Sequence, residues 1–430
     1  MSRMPIARFS VENYRCFPKP QEVELRPITV VLGKNNSGKS ALVRAPLVLS
    51  TGIRTDSPLP FDLDQLGDTV PAFPDLIYGT RPHGAVRVRM DFESGETGSY
   101  GLDATVQNIS EWQTQVVSEL ALRAGPETVR YEWLHDEVPW AEERPYVFRM
   151  DGHDDLRHRF RFQGLLPTSV PISSKRWGGD LSKAVDRIRA EFDRIRYLGP
   201  YRQRPDRLYR IPSRVAAEVG GSGEATLGIL AHDVVRQQGS LIKKINEYLP
   251  DNLPGWTLDV SDQGGGMHSV VFRSTIDDTL QINLGDAGTG VAQLLPILVQ
   301  RAMDAVAPPA HSVLEIIEEP ELHLHPSAHA LVADLLLASA RGSKVRFLVE
   351  THSETFLLRL RRRVAEGTTS PEAIAIYFVE HSGGAAQARR IGIDSLGNLD
   401  YWPRGVFSED FEETRKLAAA QKGRFTPDAR

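Results

Sequence analysis

Residues 27–40 read Pro27-Ile28-Thr29-Val30-Val31-Leu32-Gly33-Lys34-Asn35-Asn36-Ser37-Gly38-Lys39-Ser40. Ile28 to Leu32 is a continuous apolar, β-rich run, the pattern of a strand buried on both faces. Gly33 to Ser40 fits G-x-x-x-x-G-K-[ST], and a helix is expected from about Ser40 to Leu49. Each residue type in that loop has a physical reason. Gly33 and Gly38, with Lys34, Asn35, Asn36 and Ser37 between them, let the backbone curl so that successive N–H groups face phosphate oxygens. The helix that follows adds its positive N-terminal end. Lys39 supplies a point cation for the β- and γ-phosphates, and the Ser40 hydroxyl is a ligand for Mg2+. ATP and Mg2+ are therefore the expected cofactors. The alternative is a purely structural glycine loop, but the strand before it and the helix after it favour the nucleotide.

A second station lies downstream. Val313-Leu314-Glu315-Ile316-Ile317-Glu318-Glu319-Pro320 is a mostly apolar strand ending in two acids. Beside a phosphate loop, the first acid can hold Mg2+ through water and the second can activate a hydrolytic water. Glu318 is assigned to the metal and Glu319 to the base. The swapped assignment stays open, as does a solvated acidic turn. Glu315 interrupts the apolar run. His323 and His325 stand two apart on a loop, which is not the i, i+4 spacing of a helical zinc pair, so this segment is expected to organise a subunit contact. The strand Val345 to Val349 then delivers Glu350-Thr351-His352-Ser353. His352 is expected to sense the γ-phosphate or the attacking water; the bland alternative is a helix cap at Ser353.

Composition sets the outer limits. The chain has 430 residues, 41% apolar and 25% charged, which excludes a disordered chain, a fibre and a disulfide scaffold. Fifty-one basic against 56 acidic residues give a net charge of −5, so a polycation coating nucleic acid is not expected. Cys16 has no partner for an internal disulfide. No apolar run approaches the roughly 20 residues of a membrane helix, and Met1 to Val11 lacks a signal-peptide core. A soluble, cytoplasmic chain with no membrane partner is the expectation.

Elsewhere, Ile6 to Glu12 and Ala85 to Phe92 read as strands, Gly95 to Tyr100 as a turn and Thr128 to Leu134 as a short strand. Leu181, Val185, Ile188, Phe192 and Ile195 recur at helical spacing. Glu224 to Tyr248 is helical with a break near Gly239. Strands are expected at 256–260, 269–273 and 280–284. After residue 290 helices and strands alternate, with strands at 313–317, 345–349 and 374–379, a hairpin turned by Gly383-Gly384, and a terminal helix near 409–421.

Taken in order, these stations resemble the ABC-type ATPase heads of the SMC, RecF and OLD-like group. Phe9 to Phe17 looks like their N-terminal hairpin, Gly33 to Ser40 their Walker A loop, Glu318-Glu319-Pro320 their Walker B and Thr351-His352-Ser353 their switch histidine. Tyr197 to Arg202, Val219-Gly220, Gly223, Asp286 to Gln293 and Trp402 to Phe411 resemble a stand-alone bacterial AAA-type subgroup with a C-terminal domain of unknown function. The implied fold class is α/β: a P-loop ATPase head with an N-terminal β lobe, an inserted α/β or helical lobe and a mostly parallel core sheet. The expected domains are 1–94 with Walker A, 95–285 inserted, 286–395 with the signature-like loop, Walker B and switch histidine, and 396–430 as a tail helix. In such heads a signature loop of one subunit closes the ATP site of another. Leu-Ser-Gly-Gly-Gln is absent here, and Asp286 to Gln293 is its counterpart, with Asp286, Gly288 and Gly290 expected at the nucleotide; the alternative is a plain glycine turn capped by Asp286. Gln65 is the candidate glutamine-loop residue. The basic runs Arg202, Arg204, Arg207, Arg210 and Arg359, Arg361 to Arg363 read as solvated faces or as contacts to nucleic acid.

The resemblance implies an ATPase (ATP and water to ADP and phosphate) that forms a homodimer or higher oligomer on ATP. It would act as sensor or engine for a partner effector, in phage defence or DNA maintenance, with nucleic acid left open as a partner. The competing readings are the nucleotide-binding subunit of a transporter and an ATP-powered nuclease component. OLD-like nucleases append a nuclease domain, whereas this chain ends soon after the last ATPase strand, and Asp62-Leu63-Asp64 is no substitute; nuclease activity would then belong to a partner.

Overall fold

A computed structural model gives the architecture. It describes residues 6–425 other than 71, 96–97, 136–141, 151–154, 169–181, 183–184, 187, 191–193, 250–253, 278 and 403–408. Its centre is a six-stranded sheet in the order Ile195–Leu198, Val313–Glu318, Val345–Glu350, Ile28–Gly33, Ile374–Ser382, Ala385–Ile391. The first five run parallel and the last is an antiparallel hairpin partner. Every residue of Ile28–Gly33 and of Val313–Glu318 is buried, as the unbroken apolar runs require of strands covered on both faces. Alternation along the phosphate-loop strand splits it between two cores. Val31 faces a core shared with Leu42, Val48 and Leu49, while Ile28, Val30 and Leu32 face a core shared with Leu298, Leu336 and Phe356.

Parallel registration places the functional ends side by side. Glu318 pairs with Glu350 and Glu350 with Val31, so three consecutive strands bring Glu318, Glu350 and the start of the phosphate loop to one end of the sheet. The helix expected at about Ser40 to Leu49 is two helices, Lys39–Val43 and Ala45–Thr51, meeting at Arg44. Pro46 is the cause: it has no N–H to continue the ladder and it suits the first turn of a new helix.

Over the phosphate-loop helices lies a nine-stranded antiparallel sheet formed by Ile6–Glu12, Gln21–Glu24 and the strands from Gly84 to Pro167. Its inward residues, among them Phe9, Val88, Leu102, Leu120 and Tyr146, share the core of Leu42 and Leu49. Residue 94 falls within a hairpin of that sheet, whose second strand resumes at Gly98, so the sheet is continuous across the boundary expected there. The strands Gly98–Ile109, Thr114–Ala124, Glu127–Trp133, Glu143–Met150 and Leu156–Gln163 are longer than the sequence suggested. Their outward residues are charged and the register shifts between Thr105 and Val106, which blurs the two-residue alternation. A smaller sheet of Trp256–Asp262, Met267–Ser274, Gln281–Asn283 and Tyr209–Arg210 packs with helices Thr226–Arg236 and Ser240–Tyr248, which break at Gly239 (φ 70°). Of the helical run read from Leu181, Val185 and Ile188 are buried, and Leu181 and Phe192 lie outside the described residues, as do 403–408 of the tail. Among the described residues no helix is long and apolar enough to cross a membrane.

Glu315, the acid inside the apolar strand, has a local explanation. It is buried and ion-paired with Arg301, which is itself fully buried, stacks over Phe347 at 4.8 Å and contacts Asp304 at 3.1 Å; Arg196 adds a bond to Asp304 at 2.9 Å. Removing Arg301 leaves the buried Glu315 with only the longer Arg196 contact at 3.6 Å among the described residues. Arg301→Met is expected to cost about 3 kcal/mol in urea unfolding, and Arg301→Met with Glu315→Leu to recover most of it. A double-variant loss equal to the sum of the Arg301→Met and Glu315→Leu losses would show that the pair is not coupled.

Candidate nucleotide site

The phosphate loop holds its shape through left-handed backbone at Asn36 (φ 59°) and Gly38 (φ 104°). A Cβ on Gly38 would sit 2.4 Å from Cys16 Sγ, so glycine is required there both by conformation and by space. Lys39 is buried; its ammonium donates to the Lys34 carbonyl at 2.8 Å and lies 3.9 Å from the Glu350 carboxylate. Burial lowers its pKa, and Glu350 opposes that. Ser37 Oγ is buried without a hydrogen-bond partner among the described residues. The first helical turn leaves N–H groups that the helix cannot satisfy. The loop therefore offers donors and one cation, which suits a polyphosphate.

The two acids of the downstream strand are used differently from each other. Glu318, 1% exposed, receives Arg44 in a two-pronged bond (2.5 and 2.6 Å) and the Tyr197 hydroxyl at 3.2 Å. That contact holds Arg44 far above its ordinary pKa. Glu318 thus does not touch Ser40 here. The Ser40 hydroxyl instead donates to Glu350 at 2.9 Å. Glu350, 2% exposed, is pushed up to about 7, first by burial and then by the neighbouring Glu318 charge. Its second oxygen has no partner. Sequence reasoning quoted Glu350 only as the residue before the switch motif. The available signal was its register: it ends the strand that pairs with the Glu318 strand.

Glu319 occupies left-handed backbone (φ 43°), strained for a glutamate and fixed by its N–H bonding to the Glu350 carbonyl at 2.8 Å. Arg202, buried rather than solvated, donates to the carbonyls of Glu318 (3.0 Å) and Glu319 (3.3 Å), and burial lowers it to about 10. Glu319, Glu350 and His352 each bring a ligand atom within 4.8 Å of the others. His352 is pushed down to about 4, by burial and then by Lys39, so its imidazole is neutral near pH 7. Its backbone N–H is held by Glu321 Oε1 at 2.6 Å. Ser353 caps helix Glu354–Ala365, so the capping role is also present.

Other expected residues lie apart from this cluster. Asp286 is exposed and paired with Arg207, and Gly288 caps helix Thr289–Val306. A Cβ on Gly290 would meet the His323 carbonyl at 2.8 Å, placing this loop against the His323 turn. Among the described residues no hydrogen bond or ion pair joins 286–293 to Gly33–Ser40. His323 is exposed and His325 caps helix Pro326–Ala340. Gln65 bonds Asp62 and the Arg54 carbonyl in an exposed turn. Arg359 and Arg363 are paired with Asp334, and Arg362 with Glu366.

Comparison with known proteins places this geometry. The AAA ATPase domain family matches residues 4–56 and 231–357, and a family described as a protein of unknown function, DUF3696, matches 370–417. The Old nuclease of Escherichia phage P2 is 22% identical over 445 residues, covering 97% of this chain; the chain spans 63% of that relative's length. An SMC head solved bound to the C-winged helix domain of ScpA aligns over 91% of this chain and 98% of its own, at 13% identity and a TM-score of 0.51. The chain has the fold of an SMC-type α/β P-loop ATPase head, and its AAA ATPase match takes in both the phosphate loop and the acid strand. A further head domain, from Pyrococcus furiosus, covers 96% of this chain and 99% of its own at 11% identity and a TM-score of 0.49.

The AAA ATPase domain family matched over 4–56 and 231–357 implies a nucleotide and usually Mg2+, and the donors present here fit such an ion. Ser40 Oγ and the Glu350 oxygen that has no partner among the described residues are hard oxygen ligands of the kind Mg2+ takes. Glu350→Gln removes a buried charge beside Glu318 and the free oxygen together. The variant is expected to melt higher than the parent without ligand, while the rise in melting temperature given by Mg2+ and ATP shrinks to less than half. An undiminished ligand-induced rise would exclude Glu350 from the site.

Proposed function

We propose that the chain hydrolyses ATP with Mg2+ at a site completed by a second copy of itself. The observation that supports this is the gathering of Lys39, Ser40, Glu319, Glu350 and His352 at the carboxyl ends of adjacent parallel strands. Lys39 and the loop N–H groups hold the phosphates. Ser40 and Glu350 would hold the metal; Glu318, expected from the sequence in that role, would join only if Arg44 released it. Bound Mg2+ would neutralise charge on the β- and γ-oxygens. Glu319 accepts the proton of the attacking water, and neutral His352 stands beside it to orient that water.

The loop Asp286–Gln293 is exposed at Asp286 and Gly288 and does not reach the phosphate loop of its own chain. In this reading it faces the γ-phosphate of a partner, in an isologous dimer with two equivalent sites. ATP tightens the pair and hydrolysis loosens it, because only the triphosphate bridges both loops. The dimer would drive a partner effector in the cytoplasm, in phage defence or DNA maintenance. The likeness to the Old nuclease favours one second reading, in which a nuclease activity is coupled to the ATPase. No observation favours the transporter reading.

Lys39→Ala is expected to abolish ATP binding and turnover; retained turnover in a phosphate-release assay would remove the loop from the mechanism. Glu319→Gln should keep ATP binding, lower turnover by about 10²–10⁴-fold and accumulate dimers on sizing columns. Wild-type turnover would move the base elsewhere, to Glu318 or Glu350. Mixing Lys39→Ala chains with chains altered at Gly288 and Gly290 should restore part of the activity, since one composite site then carries both lesions and the other neither. No recovery in demonstrated mixed dimers would count against a shared site.

A further inference from the structure

Outside the nucleotide site, a cavity of about 310 Å3 opens between the segment 203–216 and helices Thr226–Arg236 and Thr289–Val306. Its volume is in the range of small-molecule sites. Ile229, Leu295 and Pro296 give it an apolar wall. Arg210 and Arg214 supply polar groups. The Tyr209 ring lines the cavity, while its hydroxyl is shut off from solvent and has no hydrogen-bond partner among the described residues. Arg210 and Arg214 are exposed at the opening and make no ion pair among the described residues. Two acids, Asp206 and Glu224, line the cavity against the three guanidiniums of Arg204, Arg210 and Arg214, which leaves one positive charge in excess. The balance favours an anion over a cation or a neutral ligand.

We propose that this cavity binds a small organic anion, a flat apolar body carrying one phosphate or carboxylate, and that its occupancy is transmitted to the nucleotide site. The apolar part lies on Ile229, Leu295 and Pro296, and the anionic head takes Arg210 and Arg214. Two connections lead from it to the acid turn. Leu295 and Pro296 belong to the helix capped by Gly288, and a Cβ on Gly223 would meet Pro296 at 2.6 Å, so loop and helix are packed without slack. The segment 203–216 also follows Arg202, which holds the Glu318 and Glu319 carbonyls and is bonded in both directions to Gln293. A ligand that orders this segment therefore bears on the backbone that carries the expected base.

Phenyl phosphate, benzoate and neutral benzyl alcohol, titrated by calorimetry into the nucleotide-free full chain, test the site without relying on ATP hydrolysis. At least one anion should bind saturably at millimolar concentration or below, with benzyl alcohol showing no saturable binding; the stronger of the two anions identifies the head group. Arg210→Ala with Arg214→Ala should weaken binding about tenfold. Lys39→Ala should leave it unchanged, which separates this cavity from the phosphate loop. The bound anion should change parental ATP turnover at least twofold. Absence of saturable binding, equal binding of the neutral analogue, an unaffected arginine double variant or loss in Lys39→Ala would overturn the site. Binding with unaltered turnover would overturn the transmission.

Discussion

Two buried carboxylates set side by side on neighbouring parallel strands constrain the rest of this protein. Glu318 and Glu350 are register partners, each almost wholly removed from water. Like charges so placed cannot both stay ionised without compensation, and an uncompensated buried carboxylate costs several kcal/mol. Arg44 answers Glu318, while Ser40 and Lys39 answer Glu350. Arg44 is available at that spot because the phosphate-loop helix breaks there before Pro46. The loop, the break and the acids are thus one electrostatic arrangement, only partly compensated at Glu350, and that residual favours a divalent cation.

Arg202 extends the same logic to the backbone. The turn after the acid strand bends through a left-handed glutamate, a conformation that needs outside support. A buried guanidinium bonded to two successive carbonyls gives that support, and its bonds to Gln293 tie the turn to the helix behind the signature-like loop. The expected base and the loop expected to face a second copy are therefore mechanically connected within one chain. The large antiparallel sheet braces the phosphate-loop helices from the other side, where Cys16 and Phe17 press on Gly38.

The sequence by itself determined the chemistry-bearing segments. The run Ile28 to Leu32 followed by the glycine loop, the apolar strand ending in Glu318-Glu319, and the strand before Thr351-His352 are local patterns, and the structure has these strands at those places. Their resemblance to ABC-type heads agreed with the fold. What only the tertiary structure decided is which charge meets which. Glu350 beside Ser40, Arg44 on Glu318, Arg301 on Glu315 and the burial of Arg202 all join residues from different strands and helices. Strand order and register set those pairings, and no local spacing encodes them. The long strands between 98 and 163 were hidden for a related reason: their alternation is a property of a sheet with one charged face and one buried face, and it becomes plain only once the sheet assigns the faces.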